Sequence, residues 1–328
     1  MNSIGVPEIA GNTALLHELR LMKSGAHLPH ALLLHGPAGC GKKLAAKWFT
    51  MLVLCEERDD APCGQCKSCR LIAEDAHPDV LYAEHSGKRG GFSVETVREI
   101  RSEAAILPNN GDMRIFLFPD ADAMSIQAQN ALLKSVEEPP AHACFVFTAE
   151  TPGALLPTLL SRMTAMAVNP VTPAECAGVL NARGYAADEA QSAVSRFGGN
   201  VGKCLDYLGS DAVRQAVDTA AALTAAAAQQ NEYEMLRLLT SAAADRDALR
   251  QTLSLFDLQL RDAAVCALEG ELPRLGCDIA SAKALAARCS PRRLMRMHGA
   301  VTEAFSDLDG NVGAVLTVTA LTAALTAC

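Results

Sequence analysis

The chain has 328 residues, a formal net charge of −8, 50% apolar and 20% charged residues. That length is more than one core usually organises and implies two or three domains, and the apolar share excludes wholesale disorder. The acidic balance excludes a major binder of phosphate backbones, so any contact with DNA is local or indirect. Aromatics make up only 4% while alanine runs recur, as in AALTAAAAQQ, a balance that favours helix.

The opening MNSIGVPEIAGN has neither a basic start nor an apolar core, so no signal peptide is expected. Short apolar runs bounded by Pro, Gly or charge predict strands at Ala31–His35, Val80–Ala83, Arg114–Phe118 and Cys144–Thr148. Between them the pattern predicts helices at Leu44–Cys55, Val94–Ala105 and Ala128–Glu138, the last stopped by Pro139 and Pro140. Alternation of this kind predicts a parallel sheet with crossover helices. After NPVTP (Asn169–Pro173) strand signals fade, and a boundary is placed near residue 167. Glycine turns such as FGGN (Phe197–Asn200) then separate helices, and long Ala/Leu helices fill the chain from about 210 onward as a bundle. The uncharged stretch Val312–Cys328 carries four threonines and is read as a buried terminal helix, not a membrane span. The organisation expected is an α/β domain over 1–167, a small helical domain over 168–208 and an all-α domain over 209–328.

The predicted strand HALLLH runs into GPAGCGKK and then a helix. In a phosphate-binding loop the glycines let backbone N–H groups turn inward, the lysine reaches the terminal phosphates, and a Ser or Thr follows to hold magnesium. Gly36, Gly39, Gly41 and Lys42 fit that pattern, but the magnesium position is Lys43. Weak nucleotide binding and none at all both fit these residues. At the end of the predicted strand RIFLF stand Pro119 and Asp120, where P-loop ATPases present an Asp for magnesium and a Glu for water. A proline does neither, and Asp120 and Asp122 also fit a plainer role as solvated acids capping the next helix.

Cys55, Cys63, Cys66 and Cys69 fall within fifteen residues, CEERDDAPCGQCKSC. Four thiolates close a tetrahedral zinc shell, with Gly64 easing the turn and Cys55 arriving from the end of the preceding helix. Four protein ligands leave no open position, so a structural Zn2+ is predicted. With no secretion signal, the twelve cysteines imply metal ligands or core thiols in a cytoplasmic setting, not a disulfide framework.

GPAGCGKK, the cysteine cluster, NALLKSVEEPP and LLPTLLSR occur in the order found in bacterial clamp-loader ATPases of the AAA+ class, and the first half of the chain resembles that family. The resemblance implies an AAA+-type α/β nucleotide-binding domain, a helical lid and a helical collar that oligomerises. It places the magnesium ligand on Lys43, the magnesium Asp on Pro119, the catalytic Glu on Asp120, one phosphate sensor on Ala149 beside Thr148, and the second sensor on Gly202. All five depart from the active pattern. What persists is LLSRM, where Ser161 and Arg162 match the family's SRC motif and Met163 replaces its cysteine. In clamp loaders this arginine serves the ATP of a neighbouring subunit. Asn311 resembles an asparagine near the end of the collar, and is equally a turn residue before Gly313.

The resemblance, taken with these departures, implies a non-hydrolysing subunit of a five-subunit clamp loader of DNA polymerase III. The implied partners are the gamma/tau-type ATPase subunits, the delta subunit, and, through the complex, the sliding clamp and primed DNA; no membrane is involved. Two other readings stand beside it. One is a free-standing AAA+ ATPase, such as a helicase loader or repair factor; the other is a zinc-bearing DNA-binding module using Lys67 and Arg70, which the acidic balance disfavours.

Overall fold

A strand buried on both faces needs apolar residues at every position, and the runs ALLLH, RIFLF and ACFVFTA supply them. In the computed structural model, which describes all residues except 1–5, 8, 26–27, 58–60, 86–90, 269–274, 311 and 328, these runs form the centre of a parallel sheet. The chain divides into two compact units, Met1–Val171 and Thr172–Cys328.

In chain order the first unit comprises α1 (Thr13–Ser24), β1 (Ala31–His35), α2 (Lys42–Leu54), α3 (Lys67–Ala73), β2 (Val80–Tyr82), α4 (Val94–Ala104), β3 (Arg114–Phe118), α5 (Ile126–Glu137), β4 (Ala143–Ala149), α6 (Pro157–Leu160) and β5 (Thr164–Ala167). The strand order is β2-β3-β4-β1-β5, with all pairs parallel; Leu33 lies opposite Phe147 and Phe118 opposite the same Phe147 from the other side. Alternate residues point to opposite faces. Leu32, Leu34, Ile115, Leu117 and Val146 pack under α1, α2 and α3. Leu33, Phe116, Phe118, Phe145 and Phe147 pack under α4 and α5. On that second face Phe118 stacks on Phe147 with ring centres 4.7 Å apart, and Phe116 on Phe145 at 5.3 Å.

The four predicted strands are present with small shifts: β2 ends at Tyr82, and β4 runs from Ala143 to Ala149. The fifth strand, TAMA, was not anticipated, being short and poor in β-branched residues. It is a strand because Leu32 to His35 pair with Thr164 to Ala167. Helix α5 begins two residues ahead of the expected Ala128, since the Ser125 hydroxyl accepts from the Ala128 N–H as its N-cap.

The second unit is helical: α7 (Pro173–Ala182), α8 (Ala187–Phe197), α9 (Val201–Gly209), α10 (Asp211–Ala228), α11 (Glu232–Ala242), α12 (Arg246–Ala267), α13 (Ile279–Arg288), α14 (Pro291–Asp309) and α15 (Ala314–Ala327). The division at 171/172 lies a few residues past the expected 167, because the chain after β5 stays with the sheet: Val168 N–H donates to the His35 carbonyl and Asn169 N–H to the Asn12 side chain. Thr172 and Glu175 form a reciprocal capping box that starts α7. Helix α12 buries Leu249, Leu253, Phe256 and Leu260 on one stripe, with α10, α13 and α14 packed against it. The terminal helix is only partly buried, a correction to the sequence reading: Val318, Leu321 and Leu325 face inward, while Val315 and Leu316 are exposed. Among the described residues, no helix is long and apolar enough to cross a membrane.

Candidate functional site

The loop between β1 and α2 is held open by its neighbours. Gly36 N–H donates to the Ala149 carbonyl at the end of β4, and the Cys40 thiol donates to the Val168 carbonyl beyond β5. A side chain at Gly36 would place its Cβ 2.1 Å from that Val168 oxygen, so only glycine fits. Gly41 caps α2 with φ of +93°, a conformation glycine adopts without cost. The predicted phosphate lysine is buried, and its ammonium donates to two carbonyls of its own loop, Gly36 O at 2.8 Å and Pro37 O at 3.0 Å. Lys42 is therefore directed into the loop, where the sequence placed it, with two of its three donors spent on the backbone.

The neighbouring positions decide whether a magnesium ion could be held here. Lys43 Nζ lies 2.6 Å from Asp120 Oδ2, both side chains being largely solvent-exposed. The resemblance puts a magnesium ligand and the catalytic carboxylate at these two positions. Instead one supplies a cation and the other neutralises it. An ammonium cannot ligate a metal, Pro119 offers no side-chain oxygen, and the residues present do not fit magnesium. Asp120 adopts φ 52° and receives further restraint through its N–H, which donates to the buried Thr148 hydroxyl at 2.9 Å. Asp122 accepts from Glu150 N–H with both oxygens, at 3.0 and 2.8 Å. Neither acid caps α5, which corrects the plainer sequence reading; Ser125 does that, and the acids tie strand ends together. Ala149, the expected sensor position, is a buried strand residue, and Gly202 lies within α9.

Ser161 and Arg162 follow the four-residue helix α6, which starts at Pro157. The guanidinium is about two-fifths exposed. It donates to the Thr158 carbonyl at 2.7 Å and to Ser161 Oγ at 3.3 Å, and pairs with Glu137 Oε1 at 2.7 Å. Glu137, the last residue of α5, was not singled out from the sequence. Its place in the run VEEPP, at a helix end set by two prolines, was the available signal.

The cysteine cluster converges. The Sγ atoms of Cys55, Cys63, Cys66 and Cys69 all lie within 4.8 Å of one another, with Cys55 and Cys66 at 4.0 Å. Four sulfurs at about 2.3 Å from one zinc stand roughly 3.8 Å apart, so the donor set and its spacing fit a structural Zn2+. Cys55 ends α2 and Cys66 caps α3, whose Cys69 N–H donates to Cys66 Sγ. The Gln65 N–H donated to Cys63 brings that thiol down to about 7, while burial raises Cys55 and Cys69. Zinc would hold all four as thiolates and bind the 55–69 loop onto the α2 face of the sheet. Glu56 supports the loop by accepting from both the N–H and the hydroxyl of Ser68. Lys67 and Arg70 are exposed on α3. Asn311 lies outside the described residues.

A parallel α/β sheet with a phosphate-type loop after β1, followed by a helical second unit, is the architecture expected of an AAA+-type protein. Residues 11–172 match the family described as "DNA polymerase III, delta subunit". The DNA polymerase III subunit delta' of Pseudomonas aeruginosa is 37% identical over 134 residues, covering 40% of this chain and 41% of that protein. The DNA polymerase III subunit gamma/tau of Mycobacterium tuberculosis is 34% identical over 157 residues, 47% of this chain and 27% of that protein. A crystal structure of a gamma subunit-related protein from Thermotoga maritima overlaps 94% of this chain and 98% of its own at 17% identity and a TM-score of 0.40. The matched segment spans less than half the length of the curated relatives. Residues 11–172, just under half of the chain, match that family, and the relatives they resemble are clamp-loader subunits of DNA polymerase III.

Proposed function

We propose that this chain is the non-hydrolysing, delta'-like subunit of a bacterial DNA polymerase III clamp loader, acting in the cytoplasm to help place the sliding clamp on primed DNA. The observation that carries the reading is the Lys43–Asp120 pair at 2.6 Å, an internal ion pair standing where the family resemblance puts the metal ligand and catalytic carboxylate. With an ammonium in place of a metal ligand and Pro119 at the strand end, the loop lacks the means to activate water.

Arg162 supplies the other half. Half-exposed at the end of α6 and oriented by Thr158 and Ser161, it is available to a γ-phosphate held by an adjacent gamma/tau-type subunit, where a guanidinium stabilises charge spreading over the transferred group. Glu137 must release it for that contact. In this reading residues 168–208 form the lid, residues 209–328 the collar that assembles with the delta and gamma/tau-type subunits, and the zinc loop stiffens the α2 face. Any nucleotide held by Gly36, Gly39, Gly41 and Lys42 would be bound without turnover.

The test is ATP turnover by the chain alone and by the complex reconstituted with its partner subunits. The isolated chain should show none. Arg162→Ala should leave assembly intact and slow the one site it serves by about 10³-fold or more, so the complex retains only the turnover of its other sites. Hydrolysis by the isolated chain that is abolished by Lys42→Ala would replace this reading with that of a free-standing ATPase.

A further inference from the structure

Four of the twelve cysteines form the convergent cluster. Three others spend their thiols on the backbone: Cys40 donates to the Val168 carbonyl, Cys144 to that of Pro29 and Cys277 to that of Val217. Cys176 and Cys204 do neither. They stand 28 residues apart in sequence, yet the Cys176 thiol donates to Cys204 Sγ at 3.8 Å, and both residues are completely buried.

Helix periodicity brings them together. Cys176 and Leu180 are the buried residues of α7, one turn apart, and Cys204 and Tyr207 are those of α9. Each cysteine therefore sits on the inner face of its helix, where α7, α8 and α9 pack on one another. A disulfide holds its sulfurs about 2.05 Å apart, so closure of the pair asks for a movement of roughly 1.8 Å from the separation of 3.8 Å. The chain enters α9 through Gly198 and Gly199, with Gly198 at φ 61°, and glycines take up such an adjustment most readily. The hydrogen bond between the sulfurs lowers the Cys176 thiol and raises that of Cys204. Cys176 is thus the one that ionises first and acts as the nucleophile.

We propose that Cys176 and Cys204 are a redox modification site, a dithiol that hydrogen peroxide converts into a disulfide pinning α7 to α9. The Cys176 thiolate attacks one peroxide oxygen: the S–O bond forms, the O–O bond breaks, and the departing hydroxide takes the proton Cys176 gave up and leaves as water. Cys204 then attacks the Cys176 sulfur. The S–S bond forms, the S–O bond breaks, and the second hydroxide leaves as water with the Cys204 proton. Each sulfur loses one electron, and the peroxide is reduced to two waters. Because the second sulfur already touches the first, the sulfenic acid is captured before another peroxide reaches it. Both thiols are buried, so the oxidant that reaches them is one little larger than water, admitted when the helices open locally. A bond of this kind, formed and reversed by thiol chemistry, is the form disulfides take in a reducing compartment. It closes a loop around α8, so that α7, α8 and α9 move as one piece while it lasts. The inference does not depend on Arg162, on the nucleotide loop or on the clamp-loader reading.

The experiment treats the reduced full chain with hydrogen peroxide, blocks the remaining thiols with N-ethylmaleimide in denaturant, and maps the products by mass spectrometry after tryptic digestion without reductant. Cleavage after Arg162, Arg183, Lys203 and Arg214 puts the two cysteines on separate peptides, Met163–Arg183 and Cys204–Arg214, with no other cysteine on either. The expected product is these two peptides joined, two hydrogens lighter than their sum and separated again by dithiothreitol. Its yield should be several-fold higher from the folded chain than from chain oxidised in urea, where pairing is scrambled. Cys204→Ser removes the capturing sulfur, so Cys176 should persist as a sulfenic acid and be labelled by dimedone. Cys204→Ala, which brings no hydroxyl into the core, gives the same readout if circular dichroism shows the serine variant unfolded. Both peptides carrying maleimide after peroxide has oxidised other thiols, a link no more frequent in the folded chain than in urea, Cys176 joined to a different cysteine in the folded chain, or no dimedone label in a folded variant would each overturn the proposal.

Discussion

Each of the two units is held together internally by its own kind of contact. In residues 1–171 the decisive neighbours are far apart in sequence: β1 lies between β4 and β5, Phe118 stacks on Phe147, and Lys43 meets Asp120. In residues 172–328 the helices are set by local signals, such as the Thr172–Glu175 box, the Ser210 cap of α10 and the Asp245 cap of α12, and then pack by apolar stripes. The phosphate-type loop, the four-cysteine cluster and Arg162 all lie in the first unit. Precise placement of polar groups needs a rigid frame, and parallel strands covered on both faces provide one.

The largest expected effect tests that frame at its metal. Purified chain should hold one zinc equivalent; Cys69→Ser should drop the content below half and lower the thermal transition of the first unit by on the order of 10 °C. Metal analysis finding well under one equivalent in the unaltered protein defeats the assignment. Core truncation sharpens the comparison next, because the sole tryptophan, Trp48, is buried in α2 and reports the first unit alone. Phe147→Ala should cost about 3–5 kcal/mol and shift the Trp48 fluorescence transition. Leu253→Ala should cost about 2–5 kcal/mol and shift the far-UV signal, which the second unit dominates, leaving Trp48 in place. If both variants move both signals together, the units fold as one and the contrast fails.

A smaller effect comes from a buried acid in the helical unit. Asp262 accepts from the N–H groups of Leu275 and Gly276, and Asp262→Ala should cost about 1–3 kcal/mol by leaving those donors unpaired. Lys43→Thr should change stability by no more than about 1 kcal/mol, since the pair is exposed, and should not restore magnesium-dependent turnover while Pro119 remains. Smallest is a pH effect. Hydrogen bonds from the Thr172 backbone and hydroxyl hold the Glu175 carboxyl below its usual 4.5, so its capping contribution is complete above that value and lost as pH falls through the lowered one. Helix content followed by circular dichroism between pH 6 and 3 (a range set by ordinary carboxylate values of about 4) should lose this component in Glu175→Gln.

The sequence and the structure divide the candidate site between them in a particular way. The loop glycines and the four cysteines were legible because their function depends on spacing within fifteen residues or fewer, which chain order preserves. The partners of the charged residues were not. Asp120 was weighed as a capping acid and is instead salt-bridged to Lys43, Glu137 went unremarked and holds Arg162, and β5 had no strand pattern until β1 paired with it. Helix caps and apolar periodicity are local, and for them chain order alone was enough to draw both the helical second half and the crossover pattern of the first.

What the order of amino acids determined by itself was the class of fold, the glycine pattern of the loop and the spacing of the four cysteines. Tertiary structure alone decided that an ammonium meets the carboxylate where the family resemblance puts a metal ligand and catalytic acid, that Lys42 turns onto its own loop, and that Glu137 holds Arg162. The reason is reach. A hydrogen bond or ion pair acts over about 3 Å, and only the folded sheet and packed helices bring residues so distant along the chain within that distance.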